Sequence, residues 1–227
     1  MARKIKLLGL TAVVVLAAAV SAGVASASAA TLCLTDTNPC TNPVPVGDVL
    51  DGTLVSATSD LLDNNLSAHV SCTSSAFEDT VTANGSGTIS DSLTALDFAD
   101  CTDSVLHTTC MATTLGLPWG TSITSNPNLP PPDGFVSLAI PTGGGVQVQC
   151  PELLYDCTFT GTDNPITLNL FNPGDGPVAL SPPEAEVQAD NVPVTSGNCG
   201  HTGTFNGVWQ VTDSSDGEAT IWLEPNP

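Results

Sequence analysis

The sequence predicts an all-β fold: a disulfide-stapled antiparallel β-sandwich, or two tightly docked sheets, behind a cleaved signal peptide. Three observations carry that expectation. Beyond the first residues no long amphipathic helical pattern occurs, and Thr, Ser, Val, Gly, Pro and Asp dominate. Turn signals recur at short intervals between alternating runs. Eight cysteines follow an export-type leader, which reads as a disulfide framework.

The leader comes first. Arg3, Lys4 and Lys6 make a basic start, residues 7–20 form an apolar run too short to span a bilayer, and small residues follow. Ala25-Ser26-Ala27 and Ala27-Ser28-Ala29 both fit a cleavage site, and cleavage after Ala29 is expected. The leader has no Arg-Arg pair, which favours the general secretory route. Leu32 before Cys33 speaks against a lipidated cysteine. The product is expected outside the cell, without a membrane span, as a single disulfide-linked β domain over 30–227. A subdomain divide, if the chain has one, would fall near 126–133.

Charge narrows the function classes. All three Lys/Arg lie in the leader, so the remainder sets 23 Asp/Glu against His69, His107 and His201. Nucleic-acid binding needs cations to displace phosphate counterions, and anionic membranes need them too; both are excluded. Arg or Lys clamps on phosphate and Lys Schiff-base chemistry are excluded as well. Self-repulsion favours a soluble monomer. Crowded carboxylates should bind protons more tightly in the native state, so stability is expected to rise as pH falls from 7 toward about 5.

Taken in order, 31–46 is a Pro-rich entry clipped by cysteines. Strands are expected at 53–58 and 66–72, flanking a turn-rich stretch. A hairpin at 79–83 and 86–92 turns on Asn84-Gly85. Strands at 94–98, 105–113 and 121–125 precede a Pro-rich connection. Pairs at 135–140 with 146–150, then 155–160 and 166–171, come after it. Residues 181–194 read as a Pro-rich acidic loop with one edge strand. The end reads as a meander over 201–205, 208–212 and 219–223, turning at Asn206-Gly207 and Asp216-Gly217.

Eight cysteines allow roughly a hundred pairings. Cys33–Cys40 and Cys150–Cys157 look local; for the rest, Cys72–Cys101 and Cys110–Cys199 are expected without the sequence excluding other pairings. Five cysteines precede the 126–133 stretch and three follow it, so full pairing requires at least one bond across it. Zinc is disfavoured because no C-x-x-C occurs.

This order of features resembles a group of small secreted, cysteine-containing all-β proteins from actinobacteria that carry no assigned function. The resemblance rests on Cys33 to Cys40, a strand ending in Cys72, the run Phe98-Ala99-Asp100-Cys101, the Cys150 and Cys157 spacing, and Cys199 ahead of Gly207-Val208-Trp209-Gln210-Val211. It implies a secreted, disulfide-bonded, all-β protein and brings no catalytic residues.

Candidate chemistry is thin. Any of the three histidines could act as a general base, but no Gly-x-Ser-x-Gly elbow occurs. Paired carboxylates could come from Glu78, Asp79, Asp97 or Asp100. Sugar-stacking platforms would have to come from Trp119, Trp209, Trp222, Tyr155 or the six Phe, and the Trp residues read as core or sheet packing. Calcium candidates are Asp97, Asp100 and Asp103 around Cys101, and Asp213, Asp216 and Glu218 around a Gly turn; neither fits an EF-hand. Asn65-Leu66-Ser67 and Asn84-Gly85-Ser86 are glycosylation sequons. No catalytic residue, cofactor or metal site is assigned. The leading expectation is a secreted non-enzymatic module that binds an extracellular partner or an envelope component. The alternatives are a hydrolase using carboxylate or histidine residues, and an inhibitor presenting the 126–133 loop to an extracellular enzyme.

Overall fold

The alternating sequence forms long strands that pair with two different neighbours along their length. The computed structural model describes residues 30–65, 68–85, 88–126, 131–162 and 165–225. The leader, the expected cleavage site and residues 127–130 of the expected inhibitor loop lie outside the described residues. The strands are β1 (Ala30–Cys33), β2 (Val49–Leu54), β3 (Ser59–Asp63), β4 (Ala68–Gly85), β5 (Thr88–Asp103), β6 (Thr109–Leu115), β7 (Trp119–Ser125), β8 (Gly134–Ala139), β9 (Gly145–Cys150), β10 (Tyr155–Gly161), β11 (Ile166–Phe171), β12 (Ala185–Ser196), β13 (His201–Asp213), β14 (Ala219–Thr220) and β15 (Trp222–Pro225). A single 3-10 turn, Pro151–Leu153, joins β9 to β10. Among the described residues no helix is long and apolar enough to cross a membrane.

The pairings are antiparallel and close on themselves twice. One ring runs β4, β5, β7, β8, β11, β12, β13, β2 and back to β4. The other runs β4, β5, β6, β9, β10, β12, β13, β3 and back to β4. The ribbons β4–β5 and β12–β13 belong to both rings. They also face one another across the interior, as the layers of a sandwich do. Phe98 meets Phe205 edge-on at 6.1 Å, and the Trp209 indole donates to Ser75 Oγ at 3.2 Å. The all-β, antiparallel, disulfide-stapled fold expected from the sequence is the one observed, with its edges joined.

Irregular residues let the long strands serve both rings. Asp100 has φ 52°, and the alternation shifts there. Leu96 and Phe98 before it line the interior, and Cys101 and Asp103 after it are again buried. In β12 the register shifts between Ala189 and Val192, where Asn191 has φ 50°. The separate ribbon β1–β15 covers the open end of the first ring. Two asparagine side chains dock it by imitating strand pairing. Asn84 accepts from Leu32 N and donates to the Leu32 and Val44 carbonyls; Asn172 accepts from Leu223 N and donates to its carbonyl.

Several expectations need correction. Residues 181–194 are not a loop with an edge strand, since β12 is shared by both rings. Asn206-Gly207 is not a turn, since β13 runs through it. Around 105–108 the chain turns instead of extending, because Asp103 caps it: its carboxylate accepts from the Val105, Leu106 and Thr108 N–H groups and the Thr108 hydroxyl.

The disulfides are Cys33–Cys40, Cys72–Cys101, Cys110–Cys150 and Cys157–Cys199. The expected Cys110–Cys199 and Cys150–Cys157 pairs are thus replaced. The reason is register: Cys72, Cys101, Cys110 and Cys150 stand directly opposite one another in a row across β4, β5, β6 and β9. Tyr155, not Cys157, stands opposite Cys150, and Cys157 reaches Cys199 beyond β12. Cys110–Cys150 joins the segments on either side of residues 126–133.

Ring closure leaves little room at some backbone crossings. Gly145 begins β9 at φ 145°, and a Cβ there would strike the Phe159 carbonyl of β10. Gly145→Ala should therefore cost about 2 kcal/mol or more, and lower the melting temperature by about 4–8 °C. Thermal unfolding followed by circular dichroism checks this; an unchanged midpoint contradicts it.

Candidate functional site

Inward side chains of both rings line an apolar cavity of about 160 Å³. Leu93, Trp119, Leu138, Val148, Phe159 and Trp209 are among its lining residues. The ring pairing explains the apolar character: successive inward positions on β7 are Trp119, Thr121, Ile123 and Ser125, and those on β5 include Ile89, Asp91 and Leu93. Those same runs place polar groups inside.

Asp79 on β4 and Asp91 on β5 both line the cavity, at 7% and 4% exposure. Val81 stands opposite Asp91 and Leu93 opposite Asp79, so the two carboxyls are diagonal neighbours across the ribbon. Thr121 of β7 stands opposite Asp91, yet its hydroxyl donates to both Asp79 oxygens, at 3.0 and 3.2 Å. Neither Asp91 oxygen has a hydrogen-bond partner. Ser59 Oγ, also lining the cavity, has none either.

Burial pushes the Asp79 carboxyl up to about 7, against the pull of the Thr121 hydroxyl and the Ser92 N–H. Burial and then the neighbouring Asp79 charge push Asp91 up to about 8. Two carboxyls in so apolar a wall cannot both ionise cheaply. No arginine or lysine lies anywhere in 30–227 to compensate them.

The residues singled out from sequence are mostly elsewhere. Glu78, Asp97 and Asp100 point outward and are exposed, so of the four carboxylate candidates only Asp79 enters the cavity. Its partner Asp91 was missed, although Ile89-Ser90-Asp91-Ser92-Leu93 puts an acid on an otherwise apolar face. Asp103 is bound up in its own turn, and Asp213 Oδ1 accepts from the Ser215 and Asp216 N–H groups. Among the described residues no three His, Cys, Asp or Glu side chains are grouped to hold a metal. The amide of Asn84 is committed to docking β1, which removes that sequon's acceptor nitrogen.

His69 and His107 are exposed. His201 is different: its Nδ1 lies 2.7 Å from Asp63 Oδ2, which also accepts from the Tyr155 hydroxyl at 2.8 Å. Burial, then the bond to Asp63, holds the Tyr155 phenol well above its ordinary range. This cluster ties β3, β10 and β13 together. Its third member is a tyrosine where a hydrolytic triad would need a nucleophile. Trp119 and Trp209 are core residues.

Comparison with protein-family models, curated proteins and solved structures finds no match to this chain.

The carboxyl pair sets a pH dependence. Asp79 and Asp91 hold protons in the native state that the unfolded chain releases above about 3.8. Their stabilisation is fully present below that value and is lost as pH climbs through 7 to 8. Asp103 acts in the opposite sense. The Thr108 hydroxyl, then N–H groups, hold it below the usual carboxylate range, so its contribution is lost only in strong acid. The melting temperature should rise from about pH 8 to about pH 4.5 and fall below about pH 3. Asp91→Asn should raise it at pH 8 by several degrees and flatten the upper limb. A melting temperature that falls from pH 8 to pH 5 contradicts this assignment.

Proposed function

We propose that this chain is an exported, non-enzymatic binding protein that encloses one small apolar molecule inside its paired rings. The observation that carries this reading is the cavity: about 160 Å³, walled by both rings and almost wholly apolar. A void of roughly 150 Å³ lined by Leu, Ile and Phe side chains stays dry and accepts a molecule such as benzene. The size suits a compact ligand of roughly six to ten heavy atoms. Four disulfides fit an oxidising compartment, and with the basic, apolar leader they support export. The acidic exterior fits a soluble carrier that repels its own copies.

Toluene tests the reading directly. At saturation it should raise the melting temperature by several degrees, because it binds only the native state. Ala112→Phe introduces a ring among the lining residues, where Ala112 stands opposite Val148, and should abolish the shift. No shift in the wild-type protein, or an equal shift in the variant, refutes an enclosed apolar site.

A further inference from the structure

We infer that the ligand of this cavity is a small apolar amine, and that Asp79, Asp91 and Thr121 form the pole that receives its ammonium group. The inference rests on the cavity reading above and adds a chemical class to it. Four observations converge. Asp91 is buried, lines the cavity and has no hydrogen-bond partner on either oxygen. A second carboxyl, Asp79, is its diagonal neighbour on the same inner face. The Thr121 hydroxyl fixes Asp79 and leaves Asp91 without a partner. Residues 30–227 contain no lysine or arginine, so no side-chain ammonium or guanidinium within the domain can neutralise the pair.

Charge balance favours an amine over other occupants. One carboxylate, one carboxylic acid and one ammonium sum to zero, so the ligand can be buried without a net charge. An ammonium brings three donors and no acceptor, which matches a pole whose open groups are carboxyl oxygens. A divalent metal fits less well, since among the described residues no three His, Cys, Asp or Glu side chains are grouped here and the apolar wall leaves no place for the waters that would complete its shell. The apolar wall beyond the pole takes the hydrocarbon part.

Binding also moves a proton. The carboxyl that becomes the ammonium's counter-ion gives up its hydrogen to solvent, with no covalent bond formed. The titratable groups facing the pole are Asp79 from β4 and Asp91 from β5; β7 contributes only the neutral Thr121, and the remaining lining residues do not titrate. Amine affinity should therefore increase as pH rises toward 7, where the first carboxyl ionises, and level off between 7 and 8.

Three probes of similar size separate the claims: toluene, benzyl alcohol and benzylamine, each titrated calorimetrically into the wild-type protein. At pH 8 benzylamine should bind at least ~10-fold more tightly than benzyl alcohol. Its affinity should rise several-fold between about pH 5.5 and 7 and level off toward 8, while that of toluene stays flat. With both carboxyls removed, in Asp79→Asn/Asp91→Asn, the preference for amine over alcohol should fall to about one. Equal affinities for amine and alcohol, or a flat amine profile, overturn the amine assignment even if toluene binds. If none of the three binds, the cavity reading fails with it. The wild-type pH profile keeps the test decisive should the double variant not fold.

Discussion

Closure of the strand pairing is the constraint on which everything else depends. β4, β5, β12 and β13 are long enough to be paired at one level by one set of neighbours and at another level by a second set. Each ring then lacks a free edge. That matters in a domain without lysine or arginine, because charged edge guards of the usual kind are not available to it. The row of four cysteines across β4, β5, β6 and β9 is a product of the same register, and its two disulfides staple the second ring.

Closed rings of eight strands must fill their interior or leave a void. Here the void is apolar, and its wall carries two acids that burial makes costly. A core assembled for stability alone would place apolar residues at 79 and 91. Keeping carboxyls there destabilises the native state near neutral pH, and such a cost recurs at functional sites. The second buried cluster, Asp63 with Tyr155 and His201, is by contrast saturated with partners. It joins three strands, and it is read as structural for that reason.

Much of this was legible in the sequence, and the failures over pairing share one cause. Alternation identified most of the strands, though the one expected at 53–58 is mostly the bend between β2 and β3. The hairpin expected about Asn84-Gly85 is the β4–β5 pair, although Asn84 and Gly85 themselves pair with Ile89 and Thr88. The odd split of cysteines around 126–133 required a crossing disulfide such as Cys110–Cys150. Asn206-Gly207 carries the same turn signal as Asn84-Gly85, yet β13 is straight there. Pairing with β12 on one side and with β2 and β3 on the other outweighs a local preference. Cys150–Cys157 failed because proximity in sequence does not give register: the two lie on paired strands but two positions out of step. Asp91 could have been found by asking which acid interrupts an apolar strand face. That Asp79 is its neighbour, and that Thr121 serves only Asp79, follow from β4–β5 and β5–β7 register, which no local pattern encodes.

The account stands or falls on the carboxyl pair being held in an apolar interior. The direct measurement is a carbon-13 NMR titration of the aspartate side-chain carboxyls, with Asp79→Asn and Asp91→Asn used to assign the two signals. The account expects Asp79 and Asp91 to titrate near 7 and 8, apart from the remaining acids. Titration of both near the ordinary 3.8 would place them in water and contradict it.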